Sequence, residues 1–265
     1  MAISEINSPD QKSKVTIDKG ELISYIRNTE ELIHQKGAPG WRNSDTEMFP
    51  VIGPTENNGF KVNTPRGNAI QDQHGLLREL TYQLVEKSDQ SIVFQKKYLK
   101  NTAVKNSKYP DKSTKEVLAW PYDFSFKKKY LLSNNALSIQ FEVNGESGMP
   151  FMLGYHPAFK LSGNHTEIIK LSNKELKIQD ILDVGSIAYP ALNTNEISLL
   201  KRDGQSIRIS TEGFNNFMLW TEVPNMICIE PITAYPYNNS KTLGEELFIK
   251  SEGTHLFQIV IQPLT

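Results

Sequence analysis

Two short stretches set an ionisable side chain against a proline inside an apolar run: "GYHPAF" at 154–159 and "ICIEP" at 227–231. An imidazole gives and takes a proton near neutral pH. A carboxylate accepts one, and together they provide an acid and a base at two different atoms. A residue before proline is pushed towards extended backbone, so His156 and Glu230 are each read on a strand or at a strand end. Alternation then puts His156 on a face with Met152, Gly154 and Ala158, whose small members leave room beside the ring. Glu230 shares its face with Met226 and Cys228. The competing readings are a core histidine with one satisfied hydrogen bond and a glutamate that points into water where its strand stops. An isolated buried carboxylate costs several kcal/mol unless it is paired or hydrogen-bonded.

Two further segments hold candidate binding groups. "QDQHGLLREL" at 71–80, read as a strand, places His74, Leu76 and Arg78 on one face. Against this, His74 is a turn residue before Gly75 and Arg78 a surface ion pair. "GAPGWRNSDTEMFPVIGP" at 37–54 sets Trp41 and Arg42 beside a polar stretch that ends in an apolar run. A guanidinium has several fixed donors for sugar hydroxyls or a phosphate; the alternative is a loop with ordinary polar tips. No HxH or HExxH occurs, and His74 and His156 lack a close-spaced acidic or histidine partner, so no metal is expected. No GxGxxG, GxxxxGK[ST] or GxSxG is present, which leaves nucleotide cofactors and a hydrolase serine without support.

The elements that must position these groups are strands. "LSIQFEVNG" alternates Leu137, Ile139, Phe141 and Val143 with Ser138, Gln140 and Glu142, and Asn144-Gly145 reads as a turn. "LFQIVIQPL" repeats the pattern with Phe257, Ile259 and Ile261. "SIVFQKKY", "FSFKKKYLL", "QSIRIST" and "FNNFMLWTE" are further β-like runs bounded by turn residues. "DKSTKEVLAW" is the one candidate for a short helical turn, and residues 105–115 read as an exposed polar loop. With no repeat and no hinge-like linker, the expectation is all-β: one large antiparallel β-sandwich over residues 1–265, its first 14 residues a flexible or edge segment.

Composition narrows the partners. The 265 residues include 29 basic and 30 acidic ones, a formal net charge of -1, which gives no broad surface for nucleic acid. Lys96-Lys97 and Lys127-Lys128-Lys129 read as solvated strand edges. The single cysteine, Cys228, excludes an intramolecular disulfide and a cysteine-rich zinc site. No apolar run reaches the length of a membrane span and the N-terminal stretch lacks a signal-peptide core, so a cytoplasmic location is the default expectation, with no membrane partner.

Taken together, the four segments resemble the aldose 1-epimerase (galactose mutarotase-like) family, closest to its smaller bacterial members. The order agrees: an arginine-bearing segment running into "MFPVIGP", then "HGLLREL" where the family has an HGFAR-like motif, then "GYHPAF", then a late "CIEP". The resemblance spans about Val15 to the end. It implies a galactose mutarotase-like supersandwich with a small-molecule sugar in a concave cleft, as a monomer or homodimer. It implies His156 as general acid and Glu230 as general base, His74 as a group that binds and polarises the sugar, and Arg42 and Arg78 as hydroxyl contacts. Two departures stand out: leucines replace the usual Phe-Ala in "HGLLRE", and "WRNSDTEMFP" carries extra polar residues. The implied reaction interconverts anomers of a free aldohexose without metal or redox cofactor. Hexose 6-phosphates are the alternative substrates, and a non-catalytic sugar-binding protein is the alternative class. A glycoside hydrolase would need a second carboxylate at the scissile bond. Opposite charges in contact lead us to expect an ionised Glu230 beside a protonated His156.

Overall fold

In the computed structural model, which describes residues 3–237 and 242–264, nearly every element is an antiparallel strand. The core of the fold is a 9-stranded sheet. Its central members are Thr254–Pro263, Leu137–Gly145, Phe124–Leu132 and Ser91–Tyr98, hydrogen-bonded in that order. Inward positions are mostly apolar: the Phe124–Leu132 and Leu137–Gly145 strands alternate buried positions with half-buried or exposed ones along their whole length. Period-two sequence is the direct cause, because successive side chains of a strand leave on opposite faces. Asn144-Gly145, expected to turn, instead continues its strand, where Asn144 pairs with Ser125 and Thr254.

A 6-stranded sheet covers the inner face. It runs Tyr189–Leu192, Asn216–Trp220, Met226–Ile232, Gly154–Tyr155 and Glu47–Met48, with Ala158–Lys160 also paired to Met226–Ile232. Aromatic rings bridge the two layers: Phe141 meets Tyr155 at 5.2 Å between centroids, and Phe126 meets Phe49 at 5.6 Å. The Met226–Ile232 strand is buried on both faces throughout, as a central strand must be. A separate 4-stranded sheet, with Ser4–Asn7 at its edge, holds the N-terminal segment.

Three further local expectations fail. The helical turn expected at 111–120 is a loop ending in the Val117–Leu118 strand, and the α-helix among the described residues is Ile178–Leu182. Residues 105–115 are not simply exposed: Asn106 and Ser113 are buried, Asn106 donating to Asp72 at 2.8 Å. Lys96 and Lys128 are not solvated edges either. Both sit inside the 9-stranded sheet on inward-facing positions, and Lys128 is 0% exposed. Carboxylates make that position tenable: Lys128 Nζ lies 2.6 Å from both Asp45 and Glu47, and Lys96 donates to the Leu77 carbonyl at 2.9 Å. No described helix is long and apolar enough to cross a membrane.

Candidate active site

A cleft of about 740 Å³ is lined by residues of the 6-stranded sheet and of the segments around it. His156 and Glu230 both line it, although 74 positions separate them in the chain. His156 occupies the break between the Gly154–Tyr155 and Ala158–Lys160 strands, where Pro157 interrupts the ladder. Its backbone stays paired across the break, donating to Thr46 O at 2.8 Å. Glu230 comes from the neighbouring Met226–Ile232 strand, opposite Met218. His156 Nε2 and Glu230 Oε1 stand 3.3 Å apart, at 6% and 2% exposure. The separation is just beyond ordinary hydrogen-bond range, so the two groups face each other with both still available to a third oxygen.

Other rings frame the pair. Trp41 stacks on His156 at 4.3 Å and 29°. Its carbonyl accepts from His34 Nε2 at 2.8 Å, which pins the loop that presents the indole. Trp220 approaches the same imidazole edge-on at 6.2 Å, and His74 does so at 5.5 Å. His74 is not on a strand as expected. It sits in a turn with φ 75°, followed by Gly75 at φ 67° and then the 3-10 turn Leu77–Glu79. A Cβ at Gly75 would meet Phe49 O at 2.2 Å, so this close approach requires glycine. The turn serves the ring: His74 Nδ1 lies 3.1 Å from Ile52 O. A carbonyl only accepts, so Nδ1 carries the proton and Nε2 is left as an acceptor.

A protein-family model, aldose 1-epimerase, matches residues 55–228. The chain belongs to the aldose 1-epimerase family. The matched span contains His74, Arg78 and His156, and Glu230 lies just beyond its end. No curated protein matches the sequence. Solved structures share the fold at low identity. A galactose mutarotase-like protein from Lactobacillus casei ATCC 334 superposes with a TM-score of 0.81 at 18% identity, covering 99% of this chain and 100% of that one. A galactose mutarotase related enzyme from Lactobacillus acidophilus gives 0.79 at 19%, covering 100% and 98%. A galactose 1-epimerase from Lactobacillus acidophilus NCFM gives 0.68 at 10%, covering 100% and 99%.

Electrostatics in this epimerase-family cleft differ from the expected ion pair. Burial holds the Glu230 carboxyl well above the usual carboxylate range. Burial also pulls His156 down to about 3, with the Arg78 guanidinium adding to the effect. Removing water disfavours the charged form of each group, which pushes both towards neutral. His74 is pushed well below its ordinary value by burial, then by His156, Arg78 and Lys108. It too is neutral, in keeping with an acceptor Nε2.

The two arginines separate. Arg78 lines the cleft, half-buried, with Nε 3.2 Å from Glu79. Arg42 is exposed and lies outside the cleft lining, because the chain turns Trp41 inward and Arg42 outward. Sequence reasoning missed Asp45, Glu47 and Lys96, which line the cleft wall with Lys128 just behind them. Asp45 accepts from Tyr155 Oη at 2.6 Å and Tyr130 Oη at 3.2 Å besides Lys128. It missed Lys108 as well, whose ammonium lies 3.3 Å from Asp72. The fold also gathers a donor set that spacing concealed: the ligand atoms of His156, Cys228 and Glu230 all lie within 4.8 Å of one another.

Proposed function

We propose that the protein is a mutarotase that interconverts the α and β anomers of a free aldohexose. The observation that carries this reading is the His156–Glu230 pair, 3.3 Å apart in a cleft of sugar size and larger. Ring opening removes the proton from the C1 hydroxyl, breaks C1–O5 and delivers a proton to O5. Rotation about C1–C2 and the reverse steps give the other anomer. One acid and one base are therefore needed at two oxygens about one ring atom apart, and each positioned group contributes about 10²–10⁴ in rate.

The buried pair supplies both with a single mobile proton. In the resting state that proton sits on the Glu230 carboxyl and the imidazole is neutral. Sugar hydroxyls entering the cleft replace the lost solvation and favour the tautomer with Glu230 ionised and His156 protonated. Glu230 then takes the O1 proton, and His156 gives one to O5. The pair regains its starting proton count after each half-reaction, so no external acid or base is consumed. His74 Nε2 accepts a hydroxyl proton and fixes the sugar's rotation in the cleft. Arg78 donates to hydroxyl oxygens. Trp41 and Trp220 offer faces to the apolar side of the ring.

Polarimetry of freshly dissolved α-D-glucose and α-D-galactose tests this reading. The account expects relaxation to the anomeric equilibrium accelerated in proportion to enzyme concentration. Slow relaxation of every free aldose together with fast relaxation of a 6-phosphate would transfer the reading to phosphorylated sugars. Tight sugar binding without acceleration would replace it with a binding protein.

A further inference from the structure

The Met226–Ile232 strand presents a donor atom that proton transfer does not use. Cys228 and Glu230 alternate onto one face of it, and Cys228 pairs in register with Ala158, two residues past His156. The imidazole nitrogen, the thiol sulfur and the carboxylate oxygen lie within 4.8 Å of one another. All three side chains are buried, and Trp41 and Trp220 pack over the Ala158, Met226 and Cys228 cluster.

We infer that His156, Cys228 and Glu230 form a binding site for a borderline-soft divalent cation of the zinc class, and that the ion inhibits by taking both members of the acid–base pair as ligands. Nitrogen, thiolate sulfur and carboxylate oxygen are the donors zinc selects. From a centre among the three atoms, each donor needs to move by less than an ångström to reach ligand distances of ~2.0–2.3 Å. Harder ions such as Mg²⁺ and Ca²⁺ want an all-oxygen shell and gain little from a thiolate.

Charge balance favours the complex in this setting. Burial raises the Cys228 thiol and the Glu230 carboxyl and lowers the His156 imidazole, so each is pushed towards its uncharged form. Binding releases one proton from the thiol and one from the carboxyl, and uses the imidazole lone pair directly. The two anionic ligands cancel the cation's double charge, so the buried assembly stays neutral where an isolated charge would be costly. His156 and Glu230 line the cleft, so water or a sugar hydroxyl from there would complete the shell. Inhibition rests on the proposed roles of His156 and Glu230; binding does not.

The experiment has an arm for each. Cd²⁺ titration of the wild-type protein should raise an ultraviolet thiolate-to-metal absorption band at one ion per chain. Calorimetry with Zn²⁺ in buffers of different ionisation enthalpy should report about two protons released per ion. Micromolar Zn²⁺ should slow mutarotation, with EDTA restoring it. Cys228→Ala should keep its metal-free rate and require on the order of tenfold or more zinc for the same inhibition. Should that variant fold poorly, Glu230→Gln keeps the thiol and should weaken the Cd²⁺ band. The inference is overturned if wild type shows no band, or if zinc inhibits wild type and Cys228→Ala equally. A clear band in a protein that never accelerates mutarotation would leave the metal site standing and remove the proposed activity instead.

Discussion

Thr46 and His156 exchange two backbone hydrogen bonds: His156 N donates to Thr46 O at 2.8 Å, and Thr46 N donates to His156 O at 3.3 Å. The residues on either side of Thr46 are Asp45 and Glu47, and both are held at 2.6 Å by the buried ammonium of Lys128. Tyr155, next to His156, adds its hydroxyl to Asp45 at 2.6 Å. A cluster of buried charges reaching from the 9-stranded sheet thus fixes the segment around Thr46 to which the His156 backbone is paired.

Lys128→Met follows directly. The substitution keeps the volume and leaves Asp45 and Glu47 buried without their shared cation. Removing one partner of a buried ion pair costs about 3–5 kcal/mol. Urea unfolding should show a loss of that size at unchanged slope. Adding Asp45→Asn and Glu47→Gln should recover part of it, and no recovery would mean that Lys128 acts through packing alone.

Removing either member of the proposed acid–base pair should abolish most of the rate without unfolding the protein. Glu230→Gln and His156→Asn are each expected to lower kcat by about 10²–10⁴. Together they should lose little more than the worse single variant, because the two groups act as one unit. Additive losses would assign them to separate steps.

The pH profile carries a sign that an unperturbed pair would not give. His156 is held at about 3 and Glu230 well above the carboxylate range, so the pair holds one proton between those limits. Below the lower limit the imidazole gains a second proton and the base is lost. Above the upper limit the last proton leaves and the acid is lost. Activity should therefore stay nearly flat between about pH 4 and 6, where an ordinary carboxylate would titrate. An acidic limb centred in the ordinary carboxylate range would contradict the neutral resting pair.

Trp41 covers His156, and its removal should report on that burial. Trp41→Ala admits water to the ring, reduces the desolvation that depresses the imidazole, and moves its pKa up towards the ordinary value. The acidic limb should shift to higher pH, and KM should rise as a stacking surface is lost. An unmoved limb with raised KM would make the indole a sugar contact only.

Much of this was legible in the sequence, and the failures have physical causes. Strict alternation in "LSIQFEVNG" and "LFQIVIQPL" set the inward faces of two central strands, Glu230 lies within a strand, and His156 sits directly after a strand end. The same alternation already placed Lys128 inward with Phe124, Phe126, Tyr130 and Leu132. The charge of the Lys127-Lys128-Lys129 run concealed it, because the two acids that neutralise Lys128 lie 83 and 81 positions away. Asp45 and Glu47, two residues apart before an apolar run, were the matching signal. His74 misled for a different reason: left-handed backbone at a non-glycine residue is uncommon, and period-two reading of "HGLLREL" has no means of marking it. The neutral resting pair was not legible at all, since it depends on how deeply two distant residues are buried together.

The most direct measurement is anomer exchange of D-glucose or D-galactose at equilibrium, followed by saturation transfer between the two anomeric protons. The account predicts that catalytic amounts of wild-type protein raise the exchange rate well above the spontaneous one, and that equal amounts of folded Glu230→Gln leave it near the spontaneous rate. Exchange equally fast with wild type and with Glu230→Gln would contradict the claim that this carboxyl and His156 open the ring.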